Sequence, residues 1–340
     1  MNWLVIMAGG VGERFWPMSR KLRPKQLLPL VSKRTMIAET LQRVKPLFGS
    51  RVVVVTNREQ AAAVRRALPG VKHILAEPAG RNTAPCVAWA SASIAKRDAN
   101  AVIAVVPADS FIGDVKRYRQ VVGESLALAG KADVLITVGI QPNAPHTGYG
   151  YIQVGEALQT GFRKAKRFVE KPDRTTAETY LATGEYRWNA GMFVWSARAI
   201  LDAYRQSQPA MLKQIEKIKD ARSLAKIYPK LEKISVDYAI MEKAGNVVVA
   251  DGDFGWDDVG DWQAVERHLT KDAAGNAVRG EFVGVDTTGC VVYSDEKHLV
   301  GVVGLKDLVI VHTADATLVC HKRDAQRVKE IVGKLSEKYR

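Results

Sequence analysis

Three cysteines in 340 residues, Cys86, Cys290 and Cys320, are too few and too scattered for a Cys₄ zinc site. Their odd, unclustered use fits reduced thiols and a cytoplasmic location. The six histidines form no H-x-x-x-H pair, so a histidine-held metal is not expected. No apolar run approaches the ~18 residues that span a bilayer, and the chain opens directly on a core strand. Neither a membrane partner nor a signal peptide is therefore expected. Two phosphate signatures are also missing. After Gly10 and Gly12 the third position of a dinucleotide fingerprint is Phe15. The second strand ends in Thr56-Asn57 rather than in an acidic residue. A Walker A loop is absent. These gaps exclude a Rossmann dehydrogenase and a P-loop NTPase.

What remains is an ordinary soluble composition, 47% hydrophobic and 25% charged, long enough for two domains. The net charge of +14 invites a nucleic-acid reading. The charge is spread along the chain, however, and no RNA-binding signature or aromatic-basic alternation accompanies it. Small polyanionic substrates explain it as well, and nucleic acid is not expected as a partner.

The chain is organised around its first thirty residues. Trp3 to Met7 reads as a buried parallel strand. Gly9, Gly10 and Gly12 follow within four positions, with Arg14, Arg20, Lys21, Arg23 and Lys25 close behind. Glycines there allow positive φ and let a phosphate approach the amides. A tight turn with a solvated basic loop after it accounts for the same letters. Strand and helix signals then alternate: a helix from Thr35, a strand from Arg51, a helix over 59–68 and a strand from Val71 to Leu75. That rhythm predicts parallel pairing. AEPAGRNTA (76–84) puts Glu77 on a loop at a strand end, with Asn82-Thr83 as a cap for the next helix. One carboxylate there can accept both N1–H and N2–H₂ of guanine. Asp109 follows the most apolar strand, 101–106, where open α/β sheets place their ligands. There it can hold Mg²⁺ or cap the helix that starts at Val115. Glu170-Lys171 ends a strand, and Asn189 lies in an otherwise apolar strand, 186–195, where its amide needs partners. Asp257, Asp258 and Asp261 crowd GWDDVGDW. Beyond Gly275, short valine-rich runs at 282–285, 290–293, 308–311 and 317–320 read as a small β-domain, closed by an amphipathic helix over 324–335.

Taken together, MAGGVGERFWPMSR, RPKQLLPL, AEPAGRNTAP, VVPADSFI, FVEKPD, RWNAGMFVW, ISVDYAIMEKA and GWDDVGDW resemble the sugar-1-phosphate nucleotidyltransferase family. Within it they are most similar to the bacterial mannose-1-phosphate guanylyltransferases. They stand in family order across roughly residues 3 to 265. The resemblance implies an α/β fold with a Rossmann-like, mostly parallel sheet over residues 1–270. It also implies a small C-terminal domain, 271–340, resembling a short left-handed β-helix that serves packing and contacts in a homodimer. By the same resemblance, Ala8, Gly9, Gly10, Gly12, Arg14 and Lys25 hold the triphosphate of GTP. Glu77, Asn82 and Thr83 face guanine and ribose, and Asp109 and Asp258 hold Mg²⁺. Gly148, Glu170, Lys171 and Asn189 bind mannose 1-phosphate. Asp257 and Asp261 are rival second ligands. The family usually has His where this chain has Ser110, and often a small residue where Asp261 stands. Its longer bifunctional members add an isomerase cupin, for which this chain is too short.

The implied reaction is attack of mannose 1-phosphate on the α-phosphorus of GTP, giving GDP-mannose and pyrophosphate. Arg14, Lys25, Asp109 and Lys171 are the expected catalytic groups. Since the attacking phosphate oxygen is already ionised, no general base is needed. Two alternatives stay open at this level: a relative using UTP or dTTP with glucose 1-phosphate, and a non-catalytic nucleotide-sugar sensor.

Overall fold

The computed structural model describes residues 1–294 and 297–340. Strand β1 (Asn2–Ala8) is apolar throughout because both its faces are covered. Leu4, Ile6 and Ala8 enter one core, and Trp3 and Val5 enter another on the opposite face. Helix α1 (Met36–Phe48) starts where the Thr35 side chain accepts from the Ala38 amide. Then come β2 (Val52–Asn57), α2 (Ala61–Ala67), β3 (His73–Glu77), α3 (Thr83–Ala95) and β4 (Val102–Pro107). β1 pairs in parallel with β2 and β4, and β2 with β3. The third strand lies two residues later than expected, so Glu77 is its last residue rather than part of the loop.

After β5 (Phe111–Ile112), α4 (Val115–Ala129) is capped by Asp114, whose carboxylate accepts from the Arg117 amide. Asp109 is thus free of the capping duty that was its alternative reading. β6 (Leu135–Ile140), β7 (Gly150–Gln159), β8 (Phe162–Glu170), α5 (Arg174–Thr183) and β9 (Tyr186–Ser196) follow. The helical stretch comprises α6 (Ala197–Ser207), α7 (Pro209–Glu216), α8 (Ala221–Ile227) and a π-helical turn, Asp237–Met241. β10 (Val247–Asp251), β11 (Trp256–Asp257) and α9 (Trp262–Glu266) complete this part.

The main sheet has nine strands in the order β3-β2-β1-β4-β9-β6-β10-β8-β7. β9 lies antiparallel between β4 and β6, and β8 lies antiparallel between β10 and β7. All the other strands share one direction, the mostly parallel sheet that was expected. Strand β7 was not anticipated. Its pairing with β8 shifts register after Gln153, Val154 and Ala157, and such bulges erase the alternation that marks a strand.

The C-terminal part holds β12 (Ala277–Arg279), β13 (Glu281–Val285), β14 (Val291–Ser294), β15 (Leu299–Val303), β16 (Leu308–His312) and β17 (Thr317–His321). Val291 pairs in parallel with Val309 and Glu281 with Leu299, both offset by 18 residues. Parallel strands at a constant offset too short for helical crossovers form a coil, as in a β-helix. The expected closing helix is split into a 3₁₀ segment, Lys322–Arg327, and α10 (Val328–Val332). A third core joins this part to the glycine-rich loop. Phe15, Trp16 and Met18 pack there with Trp262, Tyr293, Val311, Leu318 and Val328.

Candidate active site

The glycine-rich loop begins where β1 ends. Gly10 and Gly12 take φ of 99° and 74°, conformations that side chains resist. A Cβ on Gly12 would fall 2.4 Å from Cβ of Lys25, so glycine lets the two strands of the loop close on each other. The loop is held from below by Gln26, whose Nε2 donates to the Ala8 carbonyl at 2.8 Å, and by Gln60 Nε2 to Gly10 O at 3.1 Å. Lys25 is buried, with its ammonium 2.8 Å from Asp109 Oδ2 and 2.7 Å from the Asp258 carbonyl oxygen.

The three aspartates of GWDDVGDW separate by what they touch. Asp257 accepts from Arg267 Nε and Nη2, the Val259 amide and His268 Nε2. Burial opposes its charge, but those bonds win and hold the carboxyl well below the usual range. Asp261 caps α9 through the Ala264 amide and also accepts from Gln326. Asp258 alone turns toward the space above Lys25, its Oδ1 accepting from Tyr149 OH at 2.8 Å. Burial raises its pKa, and Lys25 acts against that rise. Among the described residues no group of three or more His, Cys, Asp or Glu side chains forms a ready metal cluster.

Across the cleft, the β6–β9 register shifts between Thr137 and Gly139, and Asn189, opposite Gly139, lines the cleft. Asn189 Oδ1 accepts from Thr137 Oγ1 at 3.0 Å and from the Gly191 amide at 3.1 Å. Its Nδ2 donates to Asp237 Oδ1 at 2.6 Å. The partners this amide needs are therefore present. Burial lifts Asp237 to about 6 in spite of that bond, with Glu170 repulsion adding to the rise. Glu170 itself is paired with Lys171 at 2.9 Å, and a Cβ on Gly150 would meet its Oε2 at 2.5 Å.

One cleft of about 650 Å³ gathers Gly12, Arg14, Lys25, Asp109, Gly148, Glu170, Lys171, Asn189 and Asp258. Gly9, Gly10, Ala8, Glu77, Asn82 and Thr83 are not part of its lining. Glu77 is buried, with Oε1 accepting from Tyr228 OH and Oε2 3.7 Å from where a Gly9 Cβ would stand. Burial raises its pKa to about 7, and the Tyr228 bond only moderates the rise. Asn82 turns back on the Thr83 amide, and Thr83 Oγ1 accepts from Val236 N at 2.8 Å. Ser110, in the place where the family usually has His, is buried, and its carbonyl accepts from Arg43. Sequence reasoning gave no role to Tyr149, Asp237, Trp256 or Lys329, all of which line the cleft. Asp237 and Trp256 sit in the quoted stretches ISVDYAIMEKA and GWDDVGDW, and Tyr149 follows Gly148. Lys329 had no local signal.

Comparison with known proteins matches residues 4–274 to the nucleotidyl transferase family and residues 280–335 to the MannoseP isomerase/GMP-like beta-helix domain. The xanthan biosynthesis protein XanB of Xanthomonas campestris pv. campestris is 39% identical over 97% of this chain and 72% of its own length. A mannose-1-phosphate guanylyltransferase of Klebsiella pneumoniae is 39% identical over 99% of this chain and 74% of its own. A crystal structure from Thermus thermophilus, described as a mannose-1-phosphate geranyltransferase, superposes with a TM-score of 0.91 at 36% identity, covering 98% of both chains. With a glycine-rich loop, a lysine bridging two aspartates and a β-helix domain behind them, the chain belongs to the nucleotidyl transferase family, in company with relatives named mannose-1-phosphate guanylyltransferase.

Proposed function

We infer that this chain transfers the GMP portion of GTP to mannose 1-phosphate, giving GDP-mannose and pyrophosphate. The observation that carries the reading is the single cleft in which the glycine-rich loop, Lys25, Asp109 and Asp258 face Gly148, Glu170, Lys171 and Asn189. Gly9, Gly10, Gly12, Arg14 and Lys25 take the triphosphate, leaving Glu77, buried against Gly9, for the guanine edge. Asn82 and Thr83 bound the ribose end from the start of α3. Glu170, Lys171 and Asn189, with Gly148, take the sugar phosphate.

The nucleophile is a phosphate oxygen already charged at neutral pH, so the protein's task is to offset repulsion between two polyanions and align them. Lys25 and Arg14 stabilise charge on the α-phosphoryl group and the departing pyrophosphate, while Lys171 steadies the attacking phosphate. Asp109, paired with the Lys25 ammonium, and Asp258, in the same cleft, are hard carboxylate oxygen donors, a donor set that suits Mg²⁺. A bound Mg²⁺ supplies Lewis-acid charge neutralisation at the phosphates. Tyr149 orients the Asp258 carboxylate, and Asn189 holds Asp237 in place.

We also propose a cytoplasmic homodimer. No helix among the described residues is long and apolar enough to cross a membrane. Val283, Val285, Leu299, Val303 and Val319 leave an exposed apolar face on the β-helix part that a second copy would cover.

The test is pyrophosphate release with Mg²⁺, crossing GTP, ATP, UTP and dTTP against mannose and glucose 1-phosphates. Release confined mainly to GTP with mannose 1-phosphate is expected. Release with UTP or dTTP and glucose 1-phosphate would sink the guanine assignment, and folded protein that binds nucleotide without turnover would make it a sensor. Sedimentation measures the oligomer.

A further inference from the structure

Four cations line the cleft: Arg14, Lys25, Lys171 and Lys329. Two are already neutralised, Lys25 by Asp109 and Lys171 by Glu170. Arg14 and Lys329 have no ion pair among the described residues, and Arg14 Nε is buried without any partner. An entering polyanion therefore meets these two as its uncompensated positive charges.

Lys329 comes from the C-terminal part, on α10, which packs directly on the 3₁₀ turn Glu13–Phe15 that carries Arg14. Its position is fixed by its neighbour Val328, buried at 2% exposure in the core that holds Phe15 and Trp16. The flanking cation Arg327 is spent on Asp324 and Glu330. The ammonium of Lys329 is exposed, so it has freedom to reach a ligand without leaving a buried charge behind. We propose that Lys329 is a substrate-binding residue that the β-helix part lends to the catalytic fold. It grips the β- and γ-phosphates of the nucleotide, which leave as pyrophosphate. The assignment to that end rests on the reading of the glycine-rich loop as the triphosphate site. Lys329 adjoins Arg14 there, while Glu170, Lys171 and Asn189 form the opposite wall.

The experiment pairs kinetics with calorimetric binding of inorganic pyrophosphate to the full-length protein with Mg²⁺. Lys329→Ala is expected to raise the KM for GTP and weaken pyrophosphate binding roughly tenfold, the scale of one charge-assisted hydrogen bond. KM for mannose 1-phosphate should stay within about twofold, because that site lies on the opposite wall. Lys329→Glu should exceed the alanine effect, and Lys329→Arg should restore binding. Lys334→Ala, a cation further along and outside the lining, serves as the control and should change nothing. Unchanged pyrophosphate binding in both Lys329→Ala and Lys329→Glu would overturn the proposal, as would equal rises in both KM values or an equal effect from Lys334→Ala. Because pyrophosphate binding is read without turnover, failure of the substrate assignment shows separately, as an inactive wild type.

Discussion

The Glu77–Tyr228 pair makes a pH prediction that ties base recognition to burial. Moving a carboxyl from an ordinary 4.5 to about 7 corresponds to about 3 kcal/mol in favour of the neutral form. Guanine offers two donors, N1–H and N2–H₂, so it requires the ionised carboxylate. Below pH 7 the competent fraction falls about tenfold per unit, and apparent affinity falls with it. The KM for GTP should be roughly tenfold higher near pH 6 than near pH 8. The Tyr228 bond works against burial, so Tyr228→Phe should move the rise to higher pH, by about one unit if the bond is worth 1–3 kcal/mol. The assay is GTP KM from about pH 5.5 to 9 at saturating mannose 1-phosphate, over the range set by that pKa. Glu77→Gln provides the baseline, since the γ-phosphate titrates in the same range and only the protein's share should vanish. Glutamine also pairs one donor with one acceptor, which suits adenine, so this variant should gain ATP relative to GTP. Identical profiles for wild type and Glu77→Gln, or no alkaline displacement in Tyr228→Phe, would refute the reasoning.

Gly12→Ala places a Cβ 2.4 Å from Lys25 Cβ at a φ of 74°, so it should cost about 1–3 kcal/mol of stability and at least ~10²-fold in kcat, read by thermal melting and initial rates. Asp258→Asn should lower kcat about 10²-fold or more and raise the Mg²⁺ needed for half-maximal rate with little change in Tm. Asp257→Asn should do the reverse, losing Tm by opening the Arg267 and His268 network. Since Asp257 titrates below its usual range when folded, its contribution is present above the unfolded pKa and is lost progressively as pH falls from there through the folded pKa, which acid-melting curves of the variant will show. Asn189→Ala strands Thr137 and a buried Asp237, so KM for mannose 1-phosphate should rise about tenfold while KM for GTP holds.

Much of the fold was legible where burial is two-sided or periodicity unbroken. Trp3 to Met7 has to be an interior strand, and the 115–129 helix shows in its apolar stripe, although Asp114 rather than Asp109 caps it. Strand β7 was hidden because bulges scramble its alternation, and the closing helix broke where Lys322–Arg327 tightens to 3₁₀. In the site, motifs located the residues but not their duties. Asp257, Asp258 and Asp261 look alike in sequence, and only their partners, Arg267, Tyr149 and Gln326, separate them. Tyr228 reaches Glu77 across 151 positions and Lys25 reaches Asp258 across 233, distances over which no local pattern speaks.

The core that unites the glycine-rich loop with the β-helix part sets a timetable for synthesis. Trp16 Nε1 donates to the carbonyl of Tyr339, 323 residues later, at 3.0 Å, and Arg20 pairs with Asp315. A ribosome working at ~5–20 residues per second needs tens of seconds to cover that gap. During this interval Phe15, Trp16 and Met18 have Leu28, Leu30 and Met36 of their core, but not yet Trp262, Tyr293, Leu318 or Val328. Until residue 339 is made, the Phe15–Met18 segment beside the glycine-rich loop therefore stays partly uncovered. Chaperone occupancy on stalled chains should fall abruptly once residue 339 has emerged.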